Sequence, residues 1–245
     1  LAKLPGPNAP KVKAILVASA HWETEAPAVT VAANPPLLYD YSGFPSETYE
    51  IEWPAPGDPD LAQRVKHLLT GAGFPKVLEE KKRGFDHGVF IPLKLAFPAA
   101  DVPVVQLSLV QGLEPKTHLD IGKALSPLRR EGVLIIGSGM SVHNVRAFFG
   151  ADASSKSAAK AFDAWLDATC GENGDASSRE PRLERWATDA PGARACHPRE
   201  EHLAPLFVAA GAASGERGRK TYADDIGGLA VSGYAFGDVD AEEAT

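Results

Sequence analysis

Residues 12–18, Val-Lys-Ala-Ile-Leu-Val-Ala, form a short and nearly continuous apolar run, and no other feature of the 245-residue chain constrains its fold as strongly. A strand with one face in water alternates apolar and polar residues. A run that is apolar at both parities must be covered on both faces, as in a parallel sheet flanked by helices. Residues 133–136, Val-Leu-Ile-Ile, repeat the pattern. Residues 103–109, Pro-Val-Val-Gln-Leu-Ser-Leu, are β-rich behind a proline, and residues 28–32 form a shorter strand, so at least four strands are expected.

Helical segments alternate with these strands. Asp58-Pro59 supplies an N-cap and an N1 proline, after which Leu61, Val65, Leu68 and Leu69 recur at helical spacing until Gly71 and Gly73. Residues 116–130 place Leu119, Leu125 and Leu128 on one face, with Pro127 kinking the segment or cutting it short, and residues 158–168 carry Phe162, Trp165 and Leu166. The alternation predicts an α/β fold, a single domain over residues 1–245 with a central, mainly parallel β-sheet flanked by helices. Residues 171–180, Gly-Glu-Asn-Gly-Asp-Ala-Ser-Ser-Arg-Glu, read as an exposed loop, and no repeat or composition shift marks a second domain.

With 44% hydrophobic and 23% charged residues the chain is ordinary globular material, which excludes a disordered, fibrous or coiled-coil protein. Its 25 Lys and Arg against 32 Asp and Glu leave a formal charge of −7, with no basic tract beyond Lys81-Lys82-Arg83, so neither nucleic acid nor anionic lipid is an expected partner. The longest apolar stretches fall short of the roughly 20 residues of a membrane span, and no secretory leader opens the chain. Only Cys170 and Cys196 occur, giving neither a disulfide framework nor a Cys-x-x-Cys pair; a reducing, cytoplasmic setting is expected.

The chain has no Gly-x-Ser-x-Gly elbow, P-loop or His-Glu-x-x-His, and Gly137-Ser138-Gly139 lacks the third glycine of a dinucleotide fingerprint. The placement of the histidines is more informative. His21 and His143 each follow a predicted strand, while His87 and His202 stand at the starts of predicted helices, and in open α/β sheets that edge is where ligands bind. Four imidazoles there make the composition of a divalent transition-metal site. His67, beside Lys66, reads as a solvated helix face and His118 as structural. His197 is either a loop residue or part of the site lining. Asp86 reads as the cap of the helix after it. Trp22, Tyr39, Tyr41 and Phe44 suit either an aromatic-lined mouth or packing.

At these histidines the sequence resembles the extradiol aromatic ring-opening dioxygenases of the LigB superfamily, in their 4,5-DOPA dioxygenase-like branch. The matching segments are Ser19-Ala20-His21-Trp22, Asp40-Tyr41-Ser42-Gly43-Phe44-Pro45, Trp53-Pro54-Ala55-Pro56-Gly57 and Arg83-Gly84-Phe85-Asp86-His87-Gly88. They continue with Pro103-Val104-Val105-Gln106-Leu107-Ser108, Gly137-Ser138-Gly139-Met140-Ser141-Val142-His143-Asn144, His197-Pro198, and Glu201-His202-Leu203-Ala204-Pro205-Leu206. Together they cover the chain from about residue 10 to the Ser232-Gly233-Tyr234 tail.

The resemblance implies that His21 and His202 are metal ligands, that His143 is the acid/base residue or a further nitrogen ligand, and that His87 faces substrate and dioxygen. It also implies an upstream ligand in a His-Gly-Ser/Gly-Pro motif. This sequence contains no such motif and does not begin with Met, so a strand and helix of about 30 residues carrying that ligand are expected to precede it. Related enzymes place a Glu where this chain has His202, and Glu201 is the adjacent alternative. The implied activity is insertion of both atoms of O₂ into a catechol, DOPA-like or another, at a non-haem centre with Fe²⁺ for turnover or Zn²⁺ as the bound metal. The same histidines would also serve a non-catalytic zinc-binding protein or a zinc-dependent hydrolase. Expected partners are a small aromatic substrate and O₂, with the chain a monomer or small homo-oligomer.

Overall fold

The computed structural model describes residues 12–237. Their backbone divides into two compact units, one of residues 12–112 with 124–138 and one of residues 113–123 with 139–237. The elements of the first unit are β1 (Ala14–Thr24), β2 (Ala28–Thr30), α1 (Pro59–Gly71), β3 (Leu78–Glu80), α2 (His87–Ala96) and β4 (Val104–Val110). After α3 (Pro115–Leu125), which begins in the second unit, α4 (Pro127–Arg130) and β5 (Val133–Ser138) complete it.

The five strands form one sheet in the order β3-β2-β4-β1-β5. β1 runs parallel to both β4 and β5, β2 runs parallel to β3, and only the β2–β4 pairing is antiparallel. The mainly parallel α/β architecture expected from the apolar runs is the one observed. β1 is central, and every side chain from Ala14 to Ala20 is buried, as a strand covered on both faces requires. Helix α2 packs on β1, α1 on β2 and α4 on β5. Ile15, Val17, Trp53, Phe85, Val89 and Phe90 belong to one core cluster, and full burial of an aliphatic or aromatic side chain contributes about 1.5–3 kcal/mol. Helix α1 begins as read, with the Asp58 carboxylate accepting from the Leu61 amide at 2.9 Å and Pro59 in the first turn. Pro127 divides the next helical stretch into α3 and α4.

The second unit contains α5 (Val145–Phe148), α6 (Ala153–Cys170), α7 (Ala176–Glu184), α8 (Trp186–Asp189), α9 (Ala193–Cys196) and α10 (Ala204–Ala212). A hairpin of β6 (Gly218–Ile226) and β7 (Leu229–Phe236) follows, and α6 packs against β7, α7 and α9. The loop expected over residues 171–180 is corrected here, because its second half is the start of α7. Asp175 caps that helix through the Ser177 amide at 2.9 Å, and Arg179 is 1% exposed, donating to the Glu216 carbonyl at 2.6 Å with its guanidinium 4.6 Å from the Phe236 ring. A polar segment reads as a loop when the carbonyls that accept its buried Arg lie far along the chain. The hairpin has no counterpart among the expected strands, since most of β6 is polar and exposed and lacks alternation. No helix among the described residues is long and apolar enough to cross a membrane.

Candidate metal centre

His21 lies where β1 leaves its ladder. Ala18 pairs with Leu107 but Glu23 pairs with Leu109, so the intervening residues of β1 bulge out of register around His21. A bulge re-aims side chains and ends pairing locally, which turns the imidazole away from the strand's regular alternation. A buried polar network holds the bulge. Asp86, 0% exposed, accepts from the Ser19 hydroxyl at 2.7 Å, from Arg83 Nη2 at 3.1 Å and from Gln106 Nε2. Arg83 Nη2 also donates to the His21 carbonyl at 3.0 Å, and its guanidinium stands 5.1 Å from the centre of the buried Trp22 ring. Gly88, in the first turn of α2, permits this approach: a Cβ there would lie 2.8 Å from Ser19 Oγ and 2.9 Å from His21 Cδ2.

The reading of Asp86 as the cap of α2 is corrected by this network. Asp86 occupies the N-cap position but makes no side-chain cap bond, because its carboxylate faces Ser19, Arg83 and Gln106. Asp40 takes that role from 47 residues away, its Oδ1 accepting the His87 amide at 3.0 Å and lying 2.8 Å from His87 Nδ1. Partial burial opposes ionisation of Asp40, but hydrogen bonds from the His87 amide and ring outweigh it and hold the carboxyl below its ordinary range. The His87 and His21 rings lie 3.9 Å apart. Tyr41 meets His87 edge-on at 5.7 Å and Phe44 at 5.5 Å, and Phe44 is 61% exposed. Tyr39 packs against Phe90 and donates to the Ile51 carbonyl, whereas Tyr41 touches His87 and carries Phe44 beside it.

In the second unit, residues 139–143 lie against the segment around His197 and His202. The Met140 amide donates to the His202 carbonyl and the His143 amide to the Cys196 carbonyl, both at 3.0 Å. Only glycine fits at position 139, where a Cβ would be 2.2 Å from the His202 carbonyl oxygen. The His143 and His202 rings stack with centroids 3.5 Å apart and 19° between planes. Glu201 Oε1 is 3.2 Å from His143 Nδ1, and Arg199 lies 3.6 Å from the other carboxylate oxygen.

His197 is a buried packing residue, edge-on to Phe162 and Trp186, with Nε2 donating to the Ser141 carbonyl at 2.9 Å. It supports the 139–143 segment from beneath. Burial pushes its pKa down from 6.5 to about 4, so the folded protein keeps it neutral while the unfolded chain protonates it at an ordinary value. Between those values the unfolded chain binds more protons, and stability therefore falls as the pH drops through that window, by up to about 3 kcal/mol. Urea titrations across the window are expected to show this slope in the wild type and a flatter one in His197→Gln, whose amide donates to Ser141 without titrating. Equal slopes would assign the acid sensitivity elsewhere.

Sorted by unit, the four histidines singled out in the sequence form two groups, each joined by a carboxylate. His21, Asp40 and His87 make one and His143, Glu201 and His202 the other, each offering ligand atoms within 4.8 Å of one another. Imidazole nitrogens are donors that suit a divalent transition-metal ion, and His21 and His202, the ligands the resemblance implies, fall one in each group. Of the remaining histidines, His67 is exposed on α1 and His118 is buried in α3 with Nδ1 2.9 Å from the Glu114 carbonyl oxygen. Both free cysteines are buried, and desolvation pushes each thiol up to about 12. The sequence does not single out Asp40. Its only signal was membership of the Asp40-Tyr41-Ser42-Gly43-Phe44-Pro45 segment.

Residues 7–237 match the family model described as the catalytic LigB subunit of aromatic ring-opening dioxygenase. The chain is 45% identical over 203 residues to the 4,5-DOPA dioxygenase extradiol of Beta vulgaris, covering 83% of this chain and 74% of that one. It is 41% identical over 239 residues to the dioxygenase tasH of Hapsidospora irregularis, covering 94% of this chain and 73% of that protein. An uncharacterized Escherichia coli K12 protein known from its crystal structure superposes with a TM-score of 0.73 at 31% identity, over 92% of this chain and 87% of that one. Histidine-bearing segments, the mainly parallel sheet and similarity over most of the chain thus agree, and the chain belongs to the LigB family of aromatic ring-opening dioxygenase catalytic subunits.

Proposed function

We propose that this protein is an extradiol ring-cleaving dioxygenase that inserts both atoms of O₂ into a catechol, with a DOPA-like compound as the leading substrate. The observation that carries the reading is the packing of His143 between Glu201 and the His202 ring, in a chain so similar to a protein named 4,5-DOPA dioxygenase extradiol. By the family resemblance His21 and His202 are assigned as nitrogen ligands, His143 as the acid/base residue and His87 as a substrate-facing residue. A bound Fe²⁺ would supply Lewis acidity toward a phenolic oxygen and the redox chemistry that O₂ requires.

The chain's own groups account for the rest. His143 receives a phenolic proton on one ring nitrogen while Glu201, beside the other, holds the ring's orientation and offsets the charge it gains. The stacked His202 ring limits the rotation of His143. Tyr41 and the exposed Phe44 offer a planar substrate ring edges to pack against next to His87.

Anaerobic loading with Fe²⁺ or Zn²⁺, followed by air and a panel of catechols that includes DOPA, tests the proposal. Iron-dependent oxygen uptake with a yellow ring-opened product is expected, and none with zinc, which has no redox chemistry. Full iron occupancy without uptake would overturn the reading in favour of a zinc hydrolase or a binding protein.

A further inference from the structure

Asp40 holds two atoms of His87 with a single oxygen. Oδ1 accepts the backbone N–H of His87 at 3.0 Å and lies 2.8 Å from its ring Nδ1. A backbone N–H only donates, which makes Oδ1 an acceptor, and an acceptor at that distance from Nδ1 calls for a hydrogen on Nδ1. A neutral imidazole protonated there carries its lone pair on Nε2. Nothing local to α2 provides this arrangement, since Asp86 turns its carboxylate into the buried network. The segment that carries Asp40 is itself tied down. The Leu38 amide donates to the Phe85 carbonyl at 2.8 Å, the Phe85 amide to the Pro36 carbonyl at 2.9 Å, and the Tyr39 and Tyr41 hydroxyls to the carbonyls of Ile51 and Thr48 at 2.6 and 2.5 Å. A carboxylate on so constrained a loop can select one ring nitrogen, whereas one on a loose loop would follow the ring.

We propose that Asp40 is a positioning residue that sets His87 in its Nδ1–H tautomer, so that His87 presents Nε2 as a hydrogen-bond acceptor to a phenolic hydroxyl. The identity of that hydroxyl rests on the catechol reading above; the tautomer does not.

Nitrogen-15 NMR of the full chain with labelled histidine, at mildly alkaline pH, as purified and again loaded with Zn²⁺, reads the tautomer without turnover. The wild type is expected to carry its ring hydrogen on Nδ1. Asp40→Asn, whose amide oxygen accepts both bonds, keeps it there, and Asp40→Ala does not. In the iron-loaded protein Asp40→Ala is expected to lower kcat roughly 10- to 100-fold with a much smaller change in KM, and Asp40→Asn to recover most of the loss. An Nε2–H tautomer in the wild type, or an Asp40→Ala protein that keeps the wild-type tautomer, would overturn the proposal. So would wild-type kcat in an active Asp40→Ala enzyme. An Asp40-dependent Nδ1–H tautomer in a protein that consumes no oxygen would support the positioning role and count against the dioxygenase reading alone.

Discussion

Replacing His143 with alanine is expected to lower turnover of the iron-loaded protein by roughly 10²- to 10⁴-fold while bound metal stays close to the wild-type amount. The size follows from the task assigned to the ring, moving a proton to and from a phenolic oxygen in the transition state. The stability cost should be modest, because His143 is only partly buried and its backbone N–H keeps its bond to the Cys196 carbonyl. Glu201→Gln is a graded companion: it leaves an amide beside Nδ1 in place of the carboxylate and so keeps part of the ring's orientation, and a smaller fall in kcat is expected. Metal analysis and steady-state oxygen uptake on the same samples make the comparison. Parallel loss of metal and turnover in His143→Ala would instead make His143 a ligand.

Asp86→Ala should be the most damaging single change to stability away from the hydrophobic core, about 3–5 kcal/mol by urea unfolding. Its carboxylate is the common acceptor for Ser19, Arg83 and Gln106, and Ser19 and Gln106 are completely buried. Alanine would strand those donors and leave the Arg83 guanidinium beside a void. Arg83 also bonds the His21 carbonyl, so the bulge that presents His21 should loosen, and metal affinity should fall with stability. Asp86→Asn preserves shape and part of the hydrogen bonding and is expected to fall between the two. A loss below about 1 kcal/mol in Asp86→Ala would show the network to be incidental to the fold.

Asp86 and Asp40 together show why the site was only partly legible. Capping is usually a local affair, and an Asp ahead of a helix is the ordinary sign of it. Here the residue in the cap position is drawn into the core by an Arg three residues before it and a Gln 20 residues after it, and Asp40, 47 residues upstream of His87, replaces it at the helix end. No periodicity records that exchange. The bulge at His21 is equally silent, because β1 stays buried through Ala20 and the slip shows only in its register with β4. The sequence does not place His197 for a related reason: a His-Pro dipeptide looks the same in a loop whether its ring faces solvent or, as here, Phe162 and Trp186.

The sequence alone determined what depends on short-range chemistry. Apolar runs at both parities required a buried, mainly parallel sheet, Asp58-Pro59 required a helix start, and the ordered histidine segments carried the family. These signals sit within one turn or one strand, where side-chain periodicity and backbone geometry are coupled directly. Only the tertiary structure decided which carboxylate meets which imidazole: Asp40 with His87, Glu201 with His143, and Asp86 with neither. Those pairings join residues 47 and 58 positions apart, a separation that only the packed fold closes and that no local periodicity records.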